Sequence, residues 1–158
     1  MMTDPEAHET DPLSKERLRL WLKLLKASSV IEDEIRRRLR REFSSTLPRF
    51  DVMSALSRFP DGLKMSEISE LLRVSNGNVT GIVDKLSEEG LTQRVPVPGD
   101  RRASLVKLTE AGVAAFAHHA NAHEAWINEM LGKLNADDVN GMHLRLDRLV
   151  ETLEQGDF

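Results

Sequence analysis

The sequence predicts a mainly α fold carrying one two-stranded hairpin. Three observations predict it. Stretches at both ends repeat apolar residues every three or four positions, the period of a helix face. Two shorter helical segments follow each other in the middle, over 66–72 and from Asn76 to about Glu89. Directly after them, 91–95 and 104–108 alternate like strands, with Pro96, Pro98 and Gly99 as the loop between.

In chain order, residues 1–12 are polar and acidic with Pro5 and Pro12, and read as a disordered tail. A first helix is expected from Leu13 to about Phe43. Leu18, Leu22 and Leu25, then Ile31, Ile35, Leu39 and Phe43, set its face, and Ser14 is its candidate cap. Ser44, Ser45, Thr46 and Pro48 break it. A short helix over 50–59 turns Val52, Met53 and Leu56 inward and ends at Pro60-Asp61-Gly62. The helix over 66–72 is expected to bury Ile68, Leu71 and Leu72.

Val74-Ser75-Asn76 turns the chain into the next helix, whose inward stripe is Val79, Ile82, Val83 and Leu86. Gly90 suits a left-handed stop. After the hairpin, Thr109 caps a long helix to about Leu134. Asn135 with Asp138 starts a last one, ending near Gln155. Val139, Met142, Leu146, Leu149 and Leu153 form a narrow stripe that suits helix pairing. Neither terminal region buries its stripe alone, so a two-fold homodimer is expected.

The boundaries are then a single domain over 13–158, with dimerisation helices over 13–45 and 109–155 and a winged-helix lobe over 46–108. A length of 158 residues fits that size. No apolar run approaches 18 residues, and the N-terminus lacks the basic start and apolar segment of a signal peptide. There is no cysteine, which excludes disulfides and thiolate zinc sites. A cytoplasmic protein without membrane contact is expected.

The net charge of −4 argues against nucleic-acid binding over the whole surface. Distribution matters more. Arg36, Arg37, Arg38, Arg40 and Arg41 cluster in one segment, Arg101 and Arg102 in another. In the helix from Asn76, Ser75 is the expected cap, and Asn76, Asn78 and Thr80 occupy the first turns, where side chains meet base edges. Asparagine pairs with adenine and threonine touches a thymine methyl. By itself this helix would serve equally as a ligand-free element. With the helix before it and an arginine-bearing hairpin after it, it reads as the recognition helix of a winged helix-turn-helix on double-stranded DNA. Asp100 is expected to hold Arg101 or Arg102 and aim the other at phosphate or minor groove.

The arginine run has two readings: a solvated face with local Glu/Arg pairs, or an anion site for DNA phosphate or ligand phosphates. His119 and His123, one turn apart beside Glu124, have a spacing that can bind metal, but no further ligands cluster there and no metal is expected. His123 and Trp126, with Trp21 from the first helix, are candidates for lining a ligand slot, and equally ordinary core residues. No phosphate loop, nucleophile elbow or catalytic constellation occurs, so no enzyme and no cofactor is expected.

Ser66-Glu67-Ile68 through Leu72, Val79-Thr80, Leu86, Gly90-Leu91, and Asp100-Arg101-Arg102 with Leu108-Thr109 and Gly112 resemble the MarR family of regulators over nearly the whole chain. The resemblance implies an obligate homodimer on a pseudo-palindromic operator, usually a repressor released by a small ligand. Where the family often has a basic residue, this chain has Gly81. That shifts weight onto Ser75, Asn76, Asn78, Thr80, Lys85 and the wing residues Asp100, Arg101 and Arg102. The segments 21–26, 47–53 and 75–78 are similar to members that answer to hydroxycinnamoyl-CoA thioesters in aromatic-acid catabolism. That likeness implies an apolar slot for the acyl ring and arginines for the phosphates, with Trp21, Arg36, Arg37, Arg38, Arg49, Phe50, His123 and Trp126 as ligand-binding residues. The alternatives are another small phenolic ligand, zinc, a constitutive architectural DNA binder, or a winged-helix protein–protein adaptor.

Overall fold

A computed structural model of the protein describes residues 11–158. Most of the expected tail therefore lies outside the described residues. Six helices and one antiparallel hairpin follow in the expected order. They divide into two compact units, one ending at Leu47 and one running over Pro48–Phe158.

The first unit is built on α1 (Ser14–Phe43). Ser14 is the first helical residue and not the cap. Leu13 stands at the cap position without a side-chain cap bond, and Asp11 lies just ahead of it, its Oδ1 accepting from Leu13 N–H at 2.8 Å and its other oxygen from Arg17 at 2.6 Å. An ionised acceptor is favourable near a helix N-terminus. Ser44 ends the helix in a left-handed conformation. Ile35 and Leu39 are buried, whereas Leu18, Trp21, Leu22 and Leu25 are exposed.

The second unit starts with α2 (Leu47–Arg58), which begins ahead of the expected Phe50. Pro48 lies in its first turn, where a missing N–H costs nothing. α3 (Met65–Leu72) and α4 (Asn76–Glu88) follow. Their turn places Arg73 in the left-handed region, and the Ser69 hydroxyl donates to the Val74 carbonyl. Contrary to expectation only Ile68 of α3 is fully buried; Leu72 is half-buried against the core and Leu71 is exposed.

β1 (Thr92–Val97) and β2 (Asp100–Leu108) pair from Thr92–Leu108 out to Val97–Asp100, with an irregularity between Pro96 and Val97. The loop is thus shorter than expected: Pro98-Gly99 alone turns the chain, with Gly99 at φ +82°. Leu63 adds a bridge to Val106 through two backbone bonds of 2.9 and 2.7 Å. Gly62, at φ +101°, permits this approach, since a Cβ there would stand 3.0 Å from the Val106 carbonyl oxygen.

α5 (Glu110–Met130) is capped by Thr109, whose Oγ accepts from Gly112 N–H at 3.0 Å. It stops at Met130, short of the expected Leu134, because 131–133 form a turn. α6 (Ala136–Gln155) opens with the expected reciprocal box between Asn135 and Asp138. The core joins Val52, Met53 and Leu56 of α2, Ile68 of α3, Val79, Val83 and Leu86 of α4, and Val106 and Leu108 of β2. Nothing on α6 is buried; Val139, Met142, Leu146, Leu149 and Leu153 all face outward. Among the described residues, no helix is long and apolar enough to cross a membrane.

Candidate nucleic-acid interface

α4 presents an exposed N-terminal end on a buried stripe. Ser75 caps it, its Oγ accepting from Asn78 N–H at 3.3 Å. Val79, Val83 and Leu86 anchor the inner face, leaving Ser75, Asn76, Asn78, Gly81 and Lys85 exposed. The Thr80 hydroxyl donates to the Asn76 carbonyl at 2.8 Å, so its proton belongs to the helix and its methyl and lone pair remain for a base. A Cβ added at Gly77 or Gly81 would meet nothing within 4 Å, so this face is open.

The hairpin sets Arg101 and Arg102 in β2 beside the turn and not in the loop itself, because the two-residue turn lets pairing run out to Asp100. Asp100 does not hold either guanidinium. Its Oδ1 accepts from the Arg102 backbone N–H at 3.0 Å, which fixes the tip's backbone. Both side chains stay exposed, without an ion pair among the described residues. Their charge is therefore available to phosphate.

One contact missed by the sequence reading ties helix to hairpin. Arg94 of β1 donates through Nη2 to Asp84 Oδ1 of α4 at 2.7 Å. It also neutralises the carboxylate that stands next to Lys85. A pair ten residues apart across two elements leaves no local spacing signal.

The ligand candidates divide between the units. In the second, the Phe50 ring stacks on His123 with centroids 4.8 Å apart and meets Phe116 at 5.6 Å. Phe116 was not anticipated; no local pattern distinguishes it. Trp126 is buried. Arg49 binds Glu89 with both Nη atoms, one contact at 3.2 Å. That hydrogen bond holds the Glu89 carboxyl below the usual carboxylate range. Burial pushes His123 down, and burial together with His118 and Arg49 pushes His119 down. Among the described residues no three His, Asp or Glu side chains gather to hold a metal.

On α1, Arg36 pairs with Asp33 and Glu32, while Arg37 and Arg38 share Glu34 at 2.7 and 2.8 Å. These are local i,i+3 and i,i+4 pairs along one helix. The hydrogen bond from Arg38 lowers the Glu34 carboxyl. With Asp33, the arginines Arg36, Arg37, Arg40 and Arg41 still line an open depression. Trp21 is exposed on the same helix, fifteen residues before Arg36, a rise of roughly 22 Å.

The chain is similar to known proteins. The sequence profile of the MarR family matches residues 46–103. The regulator PecS of Dickeya dadantii is 26% identical over 106 residues, which span 66% of this chain and 64% of PecS. A MarR family transcriptional regulator from Silicibacter pomeroyi superposes with a TM-score of 0.73 at 30% identity, covering 91% of this chain and 99% of that one. A mutant MarR of E. coli in complex with operator DNA has the same fold, with a TM-score of 0.71 at 23% identity over 89% of this chain and 99% of that one. These relatives are transcriptional regulators and not enzymes. The chain belongs to the MarR family of DNA-binding transcriptional regulators.

Proposed function

We propose that this protein is a ligand-responsive repressor that binds a pseudo-palindromic operator as a homodimer. Its DNA-binding lobe is the winged helix over 46–108, and its dimer forms through the helices over 13–45 and 109–155. The single observation that carries the reading is the pairing of an exposed recognition-helix end, Ser75 to Asn78, with an arginine-bearing hairpin fastened to that helix by Asp84–Arg94. The helix end reads base edges in the major groove. Arg101 and Arg102 contact the flanking backbone or minor groove. The uncovered apolar stripe of α6 supports the dimer, since monomers rarely leave such a stripe in water. Two recognition helices must then stand about 34 Å apart, one turn of DNA.

The effector class we propose is a hydroxycinnamoyl-CoA thioester, relieving repression of aromatic-acid catabolic genes. The ring would use the aromatic group of Phe50, Phe116 and His123, and the phosphates would use arginines. The effector acts by favouring a helix spacing that does not fit DNA, in proportion to its differential affinity for the two forms.

Fluorescence anisotropy on the DNA upstream of the protein's own gene, at fixed salt and with or without 4-coumaroyl-CoA, tests this. Tight binding released by the thioester is expected. Tight binding that ignores it discards the effector class, and absence of specific binding discards the regulator in favour of an adaptor. Arg102→Ala should weaken binding, lower the salt slope by about one and leave the dimer intact in sedimentation.

A further inference from the structure

Arg49 and Glu89 are forty residues apart in sequence, and their contact joins the first turn of α2 to the end of α4. Both Nη atoms of Arg49 engage the two carboxylate oxygens of Glu89, the fork geometry that makes such pairs specific. The position of Glu89 favours the contact. Glu88 and Glu89 stand at the C-terminal end of the recognition helix, where the backbone carries partial negative charge. Lys85 is the one basic residue in that last turn.

The turn that follows has hydrogen bonds of its own. Leu91 N–H donates to the Leu86 carbonyl at 2.9 Å, the Thr109 hydroxyl donates to the Gly90 carbonyl at 2.6 Å, and Thr109 N–H donates to the Leu91 carbonyl at 3.0 Å. The end of the recognition helix is thus held by Arg49 and by the cap of α5.

Arg49 also borders the aromatic group. Phe50, next in sequence, is buried under the rings of His123 and Phe116. The Arg49 side chain keeps 22% of its surface exposed, so solutes reach it. His119 lies close enough to Arg49 to feel its charge, which together with burial and His118 favours the neutral imidazole. A guanidinium fork already filled by one carboxylate cannot take a second one in the same way.

We infer that an oxyanion of the effector competes with Glu89 for Arg49, so that ligand binding releases the C-terminal turn of the recognition helix. This rests on the reading of the chain as a ligand-responsive regulator and supplies its local switch. The ligand class is an aromatic ring carrying an oxyanion. The oxyanion is either a carboxylate on the ring's side chain or a phosphate of an attached nucleotide. Because the two partners exclude each other, the coupling is reciprocal: removing Glu89 must tighten ligand binding.

Hydrogen exchange on the full chain without DNA tests this, read at the amides of Glu89, Gly90 and Leu91. The probes are 4-coumarate, its neutral amide and 4-coumaroyl-CoA. Faster exchange with 4-coumaroyl-CoA and none with the neutral amide is expected, and a response to 4-coumarate as well assigns the oxyanion to a carboxylate. A response to the CoA ester alone assigns the oxyanion to phosphate. Glu89→Gln should exchange faster before any ligand is added and bind the active probe about two- to fivefold more tightly, the scale of one partly exposed ion pair. A merely structural Glu89 would not tighten binding. A response to the neutral amide, no response to any probe, or unchanged affinity in Glu89→Gln would each overturn the inference. The readout needs no DNA, so a failed operator experiment leaves it standing, and its own failure leaves operator binding untouched.

Discussion

Arg94 on the first wing strand and Asp84 on the recognition helix meet at 2.7 Å, Nη2 to Oδ1, and so orient the hairpin on the helix beside it. Both side chains are about half exposed. The pair therefore contributes at most about 1 kcal/mol to stability. Its larger effect is on charge. Arg94→Gln leaves the Asp84 carboxylate bare on the helix proposed to face DNA and should weaken operator binding. Adding Asp84→Asn should recover most of the loss. Anisotropy on the two single variants and the double variant would measure the coupling. Additive losses would mean that Arg94 acts on DNA independently of Asp84.

Gly81 is an open position for gain of function. It lies in the helix interior, exposed, with no atom near an added Cβ. Gly81→Lys should stabilise α4 by about 0.5–1 kcal/mol and steepen the salt dependence of operator binding by about one phosphate contact. Thermal denaturation and a salt titration check the two halves.

Gly112 behaves in the opposite way. An added Cβ would stand 1.9 Å from the Leu91 carbonyl oxygen, a backbone atom that cannot swing aside. Alanine's better helix propensity, worth about 1 kcal/mol, is outweighed. Gly112→Ala should destabilise the protein by about 1–3 kcal/mol, measured as a lower urea midpoint.

His119 and His123 both have folded-state values below the ordinary 6.5, with burial the largest cause in each. Their neutral forms suit the fold. Their stabilising contribution is full above pH 6.5 and is lost as the pH falls from there through the depressed folded values, because the unfolded chain takes up protons first. His123→Phe keeps a ring against Phe50 and removes one titrating group. Its stability should fall less steeply than wild type below pH 6.5 in denaturation series.

Arg36, Arg37 and Arg38 each have a carboxylate partner on α1. Replacing all three with alanine should abolish release of the operator by 4-coumaroyl-CoA while leaving operator affinity unchanged. A fall in affinity with release intact would assign the run to DNA backbone.

The caps were legible in the sequence because their bonds span two or three residues. Ser75 accepts from Asn78, Thr109 from Gly112, and Asn135 exchanges with Asp138 as their spacing predicts. Gly90 takes the left-handed turn its residue type suggests. Ser14 does not cap because the helix already includes it, and Asp11, two residues ahead of Leu13, takes the Leu13 N–H.

The sequence by itself determined the order of elements, the apolar stripe of α4 and the exposure of the residues opposite it, since a helix's period fixes which side chains share a face. Tertiary structure alone decided what the faces meet. It exposed Leu71, bridged Leu63 to Val106, drew Phe116 onto Phe50, and joined Asp84 to Arg94 and Arg49 to Glu89. These contacts link distant parts of the chain. Their energy depends on how elements pack in space, which no spacing along the sequence records.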